Sequence, residues 1–350
     1  MLLYAHIPFC ESKCPYCAFG SVVGKSELYS QYFKALIDDF KAQVQNFNVE
    51  KKSISTLFIG GGTPSAVSAL FYEDFFAQIS PFLKDDCEIT SEANPNSATY
   101  NWLKSMRSYG VNRISFGAQS FFEDKLKFLG RLHDKKQVFT AVQNAKKAGF
   151  KNINVDIIYS TKFDTKKRLS QEVLNLKELG LTHVSAYSLT LEPKTPFFGK
   201  TSYKKDSPIL AKFLINELEN IGLKQYEISN FGQICRHNLG YWQGKNYLAI
   251  GAYAIGFVGS QRFYNQSNLN DYIENPHKKD IENLSPNDKK LERIFLGARS
   301  IVGIGAEILD ESQLKRAEIL TKAKKLVFKD DKFYVKNYLL ADEIALFIAG

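Results

Sequence analysis

Three thiols fall within eight positions near the start of the chain, Cys10, Cys14 and Cys17 in "HIPFCESKCPYCAF". Thiolates are soft ligands, suited to zinc, copper(I) or iron–sulfur clusters. The spacing C-x-x-x-C-x-x-C lets one short loop wrap a compact metal centre from three sides. A structural zinc would want a fourth protein ligand to close its tetrahedron. His6 is near in sequence, but as the alternate residue of a strand it is expected to point into a barrel instead. A four-iron cluster has another use for three ligands, because its fourth iron stays open to a substrate or cofactor. A zinc-binding, non-catalytic β/α protein is thus one reading and a cluster protein another. The two further cysteines read differently: Cys87 heads a strand and belongs to the core, and an isolated Cys235 is buried filler.

The elements around this loop alternate. Short runs rich in Ile, Val, Phe and Tyr, such as "LLYAHIPF", "STLFIGGG" and "NINVDIIY", are separated by helix-length segments with apolar residues three and four apart. Six such β/α units fit before about residue 200, which predicts a parallel sheet, either doubly wound or curled into a barrel. The proposed strands end at the cysteine loop, at Gly60–Thr63, and at Glu92, Gln119, Asp156 and Tyr187. In β/α folds the functional face lies where the strands end, so these groups describe one converging site. Residues 201–260 read as a connecting aromatic segment, and residues 261–350 as a smaller α+β domain of winged-helix type with two short strands around Asp330-Asp331.

Composition narrows the class. The chain has 350 residues and a formal charge of +9, but its lysines are scattered among acids, as in "LKELGL", and no nucleic-acid module accompanies them. No nucleic-acid partner is expected. Clustered cysteines without a secretory signal or a membrane span predict a reducing, cytoplasmic setting.

The cysteine pattern, "GGGTP" at Gly60–Pro64 and the β/α order resemble the radical S-adenosylmethionine superfamily over residues 1–200. The resemblance implies a partial (β/α)6 TIM-like barrel followed by a smaller α+β domain. It implies a 4Fe-4S cluster on Cys10, Cys14 and Cys17, whose open iron chelates S-adenosylmethionine. Cofactor-binding roles carry over to Gly61, Gly62 and Thr63 beside the methionyl amino group, to Glu92 as its carboxylate partner, to Asp156 on the ribose, and to Gln119 and Arg131, the latter answering a carboxylate. Tyr4 and Tyr16 are expected to shield the cluster from water.

Within that superfamily, "YAHIPFC", "SEANP", "SFGAQSF" and "GRLH" resemble the oxygen-independent coproporphyrinogen III oxidase group. Its oxidases carry a further cysteine two positions after the third, where this chain has Phe19, and an N-terminal extension that this chain is expected to lack. "RHNLGYW", with His237, Asn238, Tyr241 and Trp242, matches the H-N-x-x-Y-W signature of the HemW haem-chaperone branch. That branch implies haem as cargo, with His237 as its axial or anchoring group, haem-acceptor proteins as partners, and a low-potential electron donor such as flavodoxin or ferredoxin. A peripheral membrane contact is a further expectation. The rival activity is conversion of coproporphyrinogen III to protoporphyrinogen IX by radical chemistry. The sequence departs from the family after Asp156, where "IIYSTKF" replaces a Gly-Leu-Pro continuation.

Overall fold

The computed structural model describes residues 1–350. Strands β1 (Leu2–Ile7), β2 (Ile54–Gly61), β3 (Leu83–Ala93), β4 (Arg113–Gln119), β5 (Asn152–Tyr159) and β6 (His183–Ser188) pair side by side in chain order, all parallel. Between them run α1 (Tyr29–Asn46), α2 (Phe71–Ile79), α3 (Tyr100–Ser108), α4 (Glu123–Phe128), α5 (Lys135–Lys147) and α6 (Lys166–Leu179). Side-chain alternation decides what faces inward. Leu3, Ala5 and Ile7 of β1 and Leu57 and Ile59 of β2 are buried with Leu36 and Phe40 of α1 in one core of 56 buried residues. The intervening Tyr4, His6 and Phe58 therefore face the lumen. Local chemistry fixes several helix ends: Asp134 and Gln137 form a capping box on α5, and α6 stops at Gly180 in the left-handed conformation with φ 59°.

The barrel does not close. After α7 (Pro208–Asn220), β7 (Asn230–Gly232) adds antiparallel to β6 and ends one edge. After α8 (Arg236–Trp242), β8 (Tyr247–Ile250) adds parallel to β1 on the other side. A meander of β9 (Ile255–Val258), β10 (Gln261–Asn265) and, beyond α9 (Leu269–Glu274), β11 (Lys279–Asn283) then extends that side. The sheet has eleven strands in the order β11-β10-β9-β8-β1-β2-β3-β4-β5-β6-β7, a partial barrel with an antiparallel wing.

This wing changes the expected division at residue 261. Residues up to Asn283 continue the main sheet, because β9 pairs with β8, β10 with β9 and β11 with β10, each satisfying backbone groups of the one before. The unit with its own core of 13 buried residues begins at α10 (Pro286–Ala298). It comprises β12 (Ile304–Gly305), α11 (Glu311–Lys322), β13 (Leu326–Lys329), β14 (Lys332–Val335) and α12 (Ala341–Ala349), with sheet order β12-β14-β13. Asp330 and Asp331, at φ 48° and 57°, make the two-residue hairpin turn between β13 and β14. No helix is long and apolar enough to cross a membrane.

Candidate functional site

The cysteine loop is pinched at its base. Phe9–Cys10 pairs with Val22–Val23 in a short parallel ladder, and Cys17 N–H donates to the Cys14 carbonyl at 3.1 Å. The glycine loop after β2 is laced to the same base, with Gly62 N–H donating to Ile7 O and Thr63 N–H to Phe9 O, each at 2.8 Å. A Cβ on Gly62 would lie 2.8 Å from that Ile7 oxygen, so no other residue fits there. All three loop cysteines are free, half-buried and turned toward a cavity of about 1240 Å³ at the C-terminal ends of the strands. Two sulfurs already receive hydrogen bonds: Thr63 Oγ1 donates to Cys10 Sγ at 3.5 Å and Arg131 NH1 to Cys14 Sγ at 3.4 Å. Such donors stabilise the thiolate form and tune a bound metal centre.

The strand-end groups meet below that loop. Gly61, at φ 108°, donates its N–H to Glu92 Oε2 at 3.1 Å. A side chain on Gly61 would overlap the His6 imidazole. Burial pushes the Glu92 carboxyl up to about 7, Asp156 nearby adding to the effect while the Gly61 N–H and Arg113 oppose it. Asp156 accepts from Asn154 Nδ2 at 2.6 Å and Ser115 Oγ at 3.5 Å, and desolvation raises its carboxyl despite them. Gln119 sits at a register break between β4 and β5 with φ 68°, an uncommon conformation for a residue with a Cβ, and its amide borders the cavity.

Arg131 is held differently from its expected free carboxylate-binding role. One terminal nitrogen serves Cys14, the other donates to Asn94 Oδ1 at 2.5 Å and Gly117 O at 2.7 Å, and its buried Nε has no partner. Asn94 is a site residue that sequence reasoning passed over: its amide also donates to Thr63 Oγ1 at 3.3 Å, linking the glycine loop to Arg131. The signal for it was its place in "SEANP".

Two expected residues lie elsewhere. Tyr16 stands among the cysteines, its ring 6.5 Å from that of Phe197, but Tyr4 lies deeper, stacked on Phe58 and bonded through its hydroxyl to His6 Nδ1 at 3.0 Å. Strand alternation explains this, since Tyr4 is two positions below His6 on the same lumenal face of β1. His237 is 1 % exposed, on α8. Its Nδ1 is bonded to Thr56 Oγ1 at 2.7 Å and its Nε2 to the Tyr241 hydroxyl at 2.8 Å, so both nitrogens are occupied. Burial lowers its pKa to about 3, which keeps it neutral. Glu88 on β3 accepts from the backbone N–H groups of Arg236 and His237 at 3.1 and 3.0 Å and anchors the start of α8.

Comparison with known proteins supplies the rest. Residues 4–173 match the model of the radical SAM superfamily. A Bacillus subtilis protein described as heme chaperone HemW is 33% identical over 319 residues, covering 86% of this chain and 84% of that one. The chain belongs to the HemW family of the radical SAM superfamily. A Lactococcus lactis member is 36% identical over 87% of this chain and 83% of its own, and an Escherichia coli member 35% identical over 73% and 70%. Among solved structures, coproporphyrinogen III oxidase (HemN) from Escherichia coli superposes with a TM-score of 0.82 over 99% of this chain and 90% of its own, at 21% identity, and shares the fold.

The family's 4Fe-4S cluster and S-adenosylmethionine fit the residues present. Three thiols face one mouth, glycine backbone borders it where a Cβ would clash, and an unpartnered Arg131 nitrogen and two desolvated carboxylates lie beneath. No three His, Cys, Asp or Glu side chains gather closely enough for a single metal ion.

Proposed function

We propose that the protein is a haem chaperone, binding haem and delivering it to haem-requiring acceptor proteins in a cytoplasmic setting. The supporting observation is the convergence of the three thiols with Glu92, Gln119 and Asp156 on one mouth, in a chain that covers more than four fifths of two HemW relatives. Cys10, Cys14 and Cys17 would hold the cluster. When bound, cluster and S-adenosylmethionine supply one-electron chemistry, with flavodoxin or ferredoxin as the class of donor. Glu92 accepts the methionyl ammonium in a charge-assisted bond, the Gly61 and Gly62 backbone lets it approach, and Asp156 accepts from ribose hydroxyls. Gln119 and Arg131 orient the remainder, and Tyr16 limits water at the loop.

Phe19 separates this reading from porphyrinogen oxidation. It occupies the position of the oxidases' additional cysteine and is 69 % exposed at the mouth, where its ring can ligate nothing. Anaerobically reconstituted protein is expected to give a Soret shift with hemin. Given coproporphyrinogen III, reductant and S-adenosylmethionine, it is expected to release no protoporphyrinogen IX. Robust conversion would assign it to the oxidases.

The elevated Glu92 carboxyl predicts a pH profile. Above about 7 it is ionised and pairs with the ammonium; below, binding must first remove a proton. Affinity for S-adenosylmethionine, measured by calorimetry, is expected to rise by up to about tenfold per pH unit up to neutrality and then level off. Glu92→Gln flattens the profile at the low-affinity end. A wild-type profile already flat from pH 6 to 8 would remove Glu92 as the ammonium's partner.

A further inference from the structure

A second cavity, of about 1030 Å³, lies on the open side of the barrel between the inner face of the sheet and α10. Its volume is at the upper end of the range for ligand pockets, roughly 300–1,000 Å³. Register builds its floor. Thr56, Leu2, Tyr247, Phe257 and Arg262 stand opposite one another across β2, β1, β8, β9 and β10 on one lumenal row, of which Tyr247, Phe257 and Arg262 line the cavity while Thr56 and Leu2 lie under α8. Tyr4 and Phe58 form part of the next row up.

The signature helix belongs to this cavity and not to the cysteine mouth. Asn238 and Tyr241 line it, and the Tyr241 ring packs on Tyr247 at 4.6 Å between centroids. His237 acts here through Tyr241, holding its hydroxyl while Thr56 fixes the other side of the imidazole. Gly240 makes the approach of α8 to the sheet possible, because a side chain there would meet Leu2. Nine Phe and Tyr residues, among them Tyr4, Phe58, Tyr241, Tyr247, Phe257 and Phe295, thus border one space.

Its charge is positive and only partly neutralised. Arg262 is shared between Glu282 and Glu292, and Arg299 is paired with Asp342. Lys245, Lys289 and Arg293 form no ion pair, although all three border the cavity, and Arg293 donates only to the Gln243 carbonyl. The far end reaches Ala18, Phe19, Gly61 and Glu92, which also border the first cavity, so the two spaces meet beneath the cysteine loop.

An aromatic slot with three unneutralised cations at one end suits a flat apolar ligand bearing two carboxylates. We propose that this second cavity is the haem seat: the macrocycle lies among the rings and its two propionates turn to Lys245, Lys289 and Arg293. The assignment rests on the haem-chaperone reading and places the cargo next to the S-adenosylmethionine site without a ligand from His237. Ring–macrocycle contact supplies apolar burial, and the cations supply orientation by charge-assisted bonds.

The test compares three ligands and three proteins, using full-length chain. Wild type should bind hemin and iron-free protoporphyrin IX, and should bind protoporphyrin dimethyl ester at least about tenfold more weakly, since esterification removes both charges. Lys289→Glu combined with Arg293→Glu should weaken hemin at least about tenfold, and the milder pair Lys245→Gln and Lys289→Gln should weaken it in the same direction should the first misfold. Lys212→Glu, an exposed change bordering the cysteine mouth, should leave hemin affinity unchanged. If wild type binds acid and ester equally, or if Lys212→Glu weakens hemin while the α10 variants do not, the seat is not here, although the chaperone reading stands. If wild type binds no porphyrin at all, that reading falls and this assignment with it.

Discussion

Cys14→Ala, reconstituted with iron and sulfide without oxygen, is expected to hold less than about a tenth of the wild-type cluster while remaining folded, because two thiolates rarely retain a cubane against solvent. Cys14 is half-buried on a loop and belongs to no core cluster, so its loss removes little packing. What it does remove is the acceptor for Arg131 NH1, leaving a guanidinium that already has an unpartnered Nε with one bond fewer. Iron and sulfide analysis, together with the charge-transfer absorption of the cluster, gives the answer. Retention of a full cluster would mean that another group completes the ligand set. With the cargo seated in the second cavity, the same variant keeps its hemin affinity, which separates loss of the cluster from loss of the haem site.

The site was most legible in the sequence where its parts are local. A loop with three thiols, a run of glycines and polar groups at strand ends are each written in a few consecutive residues, and β/α alternation says that strand ends converge. Glu92, Gln119 and Asp156 share one cavity with the cysteines for this reason. The orientation of Arg131 was not legible, because it depends on Asn94 and Cys14, which lie 37 and 117 positions away.

The part after residue 200 was harder for the same reason on a larger scale. The register of β8 on β1 pairs Tyr247 with Leu2, and the antiparallel wing is an extension from that pairing. Aromatic residues without clean periodicity read as a connector in the sequence alone because their partners are strands at the other end of the chain. The second cavity needs Tyr4, Phe58, Tyr247, Phe257 and a face of α10 to be assembled before it exists. Neither its rings nor its cations are adjacent in sequence.

The signature histidine shows how a motif can be recognised correctly and its side chain still be placed by tertiary packing. His237→Ala is expected to cost about 3 kcal/mol of stability, since it empties a space in the core and strands the Tyr241 hydroxyl and Thr56 Oγ1 without their buried partner. The cost depends on pH with a definite sign. The folded protein holds His237 neutral down to about 3, whereas the unfolded chain takes up the proton near 6.5, so protonation favours unfolding as pH falls below that value. The variant escapes this penalty. Its deficit against wild type is therefore largest above about pH 6.5 and shrinks in acid, which urea unfolding at pH 7.5 and pH 5 measures directly. An iron ligand exposed to cargo would behave otherwise, with stability unchanged in the haem-free protein and only the Soret band altered. A loss below about 0.5 kcal/mol at pH 7.5 would show that His237 does not hold α8 to the barrel.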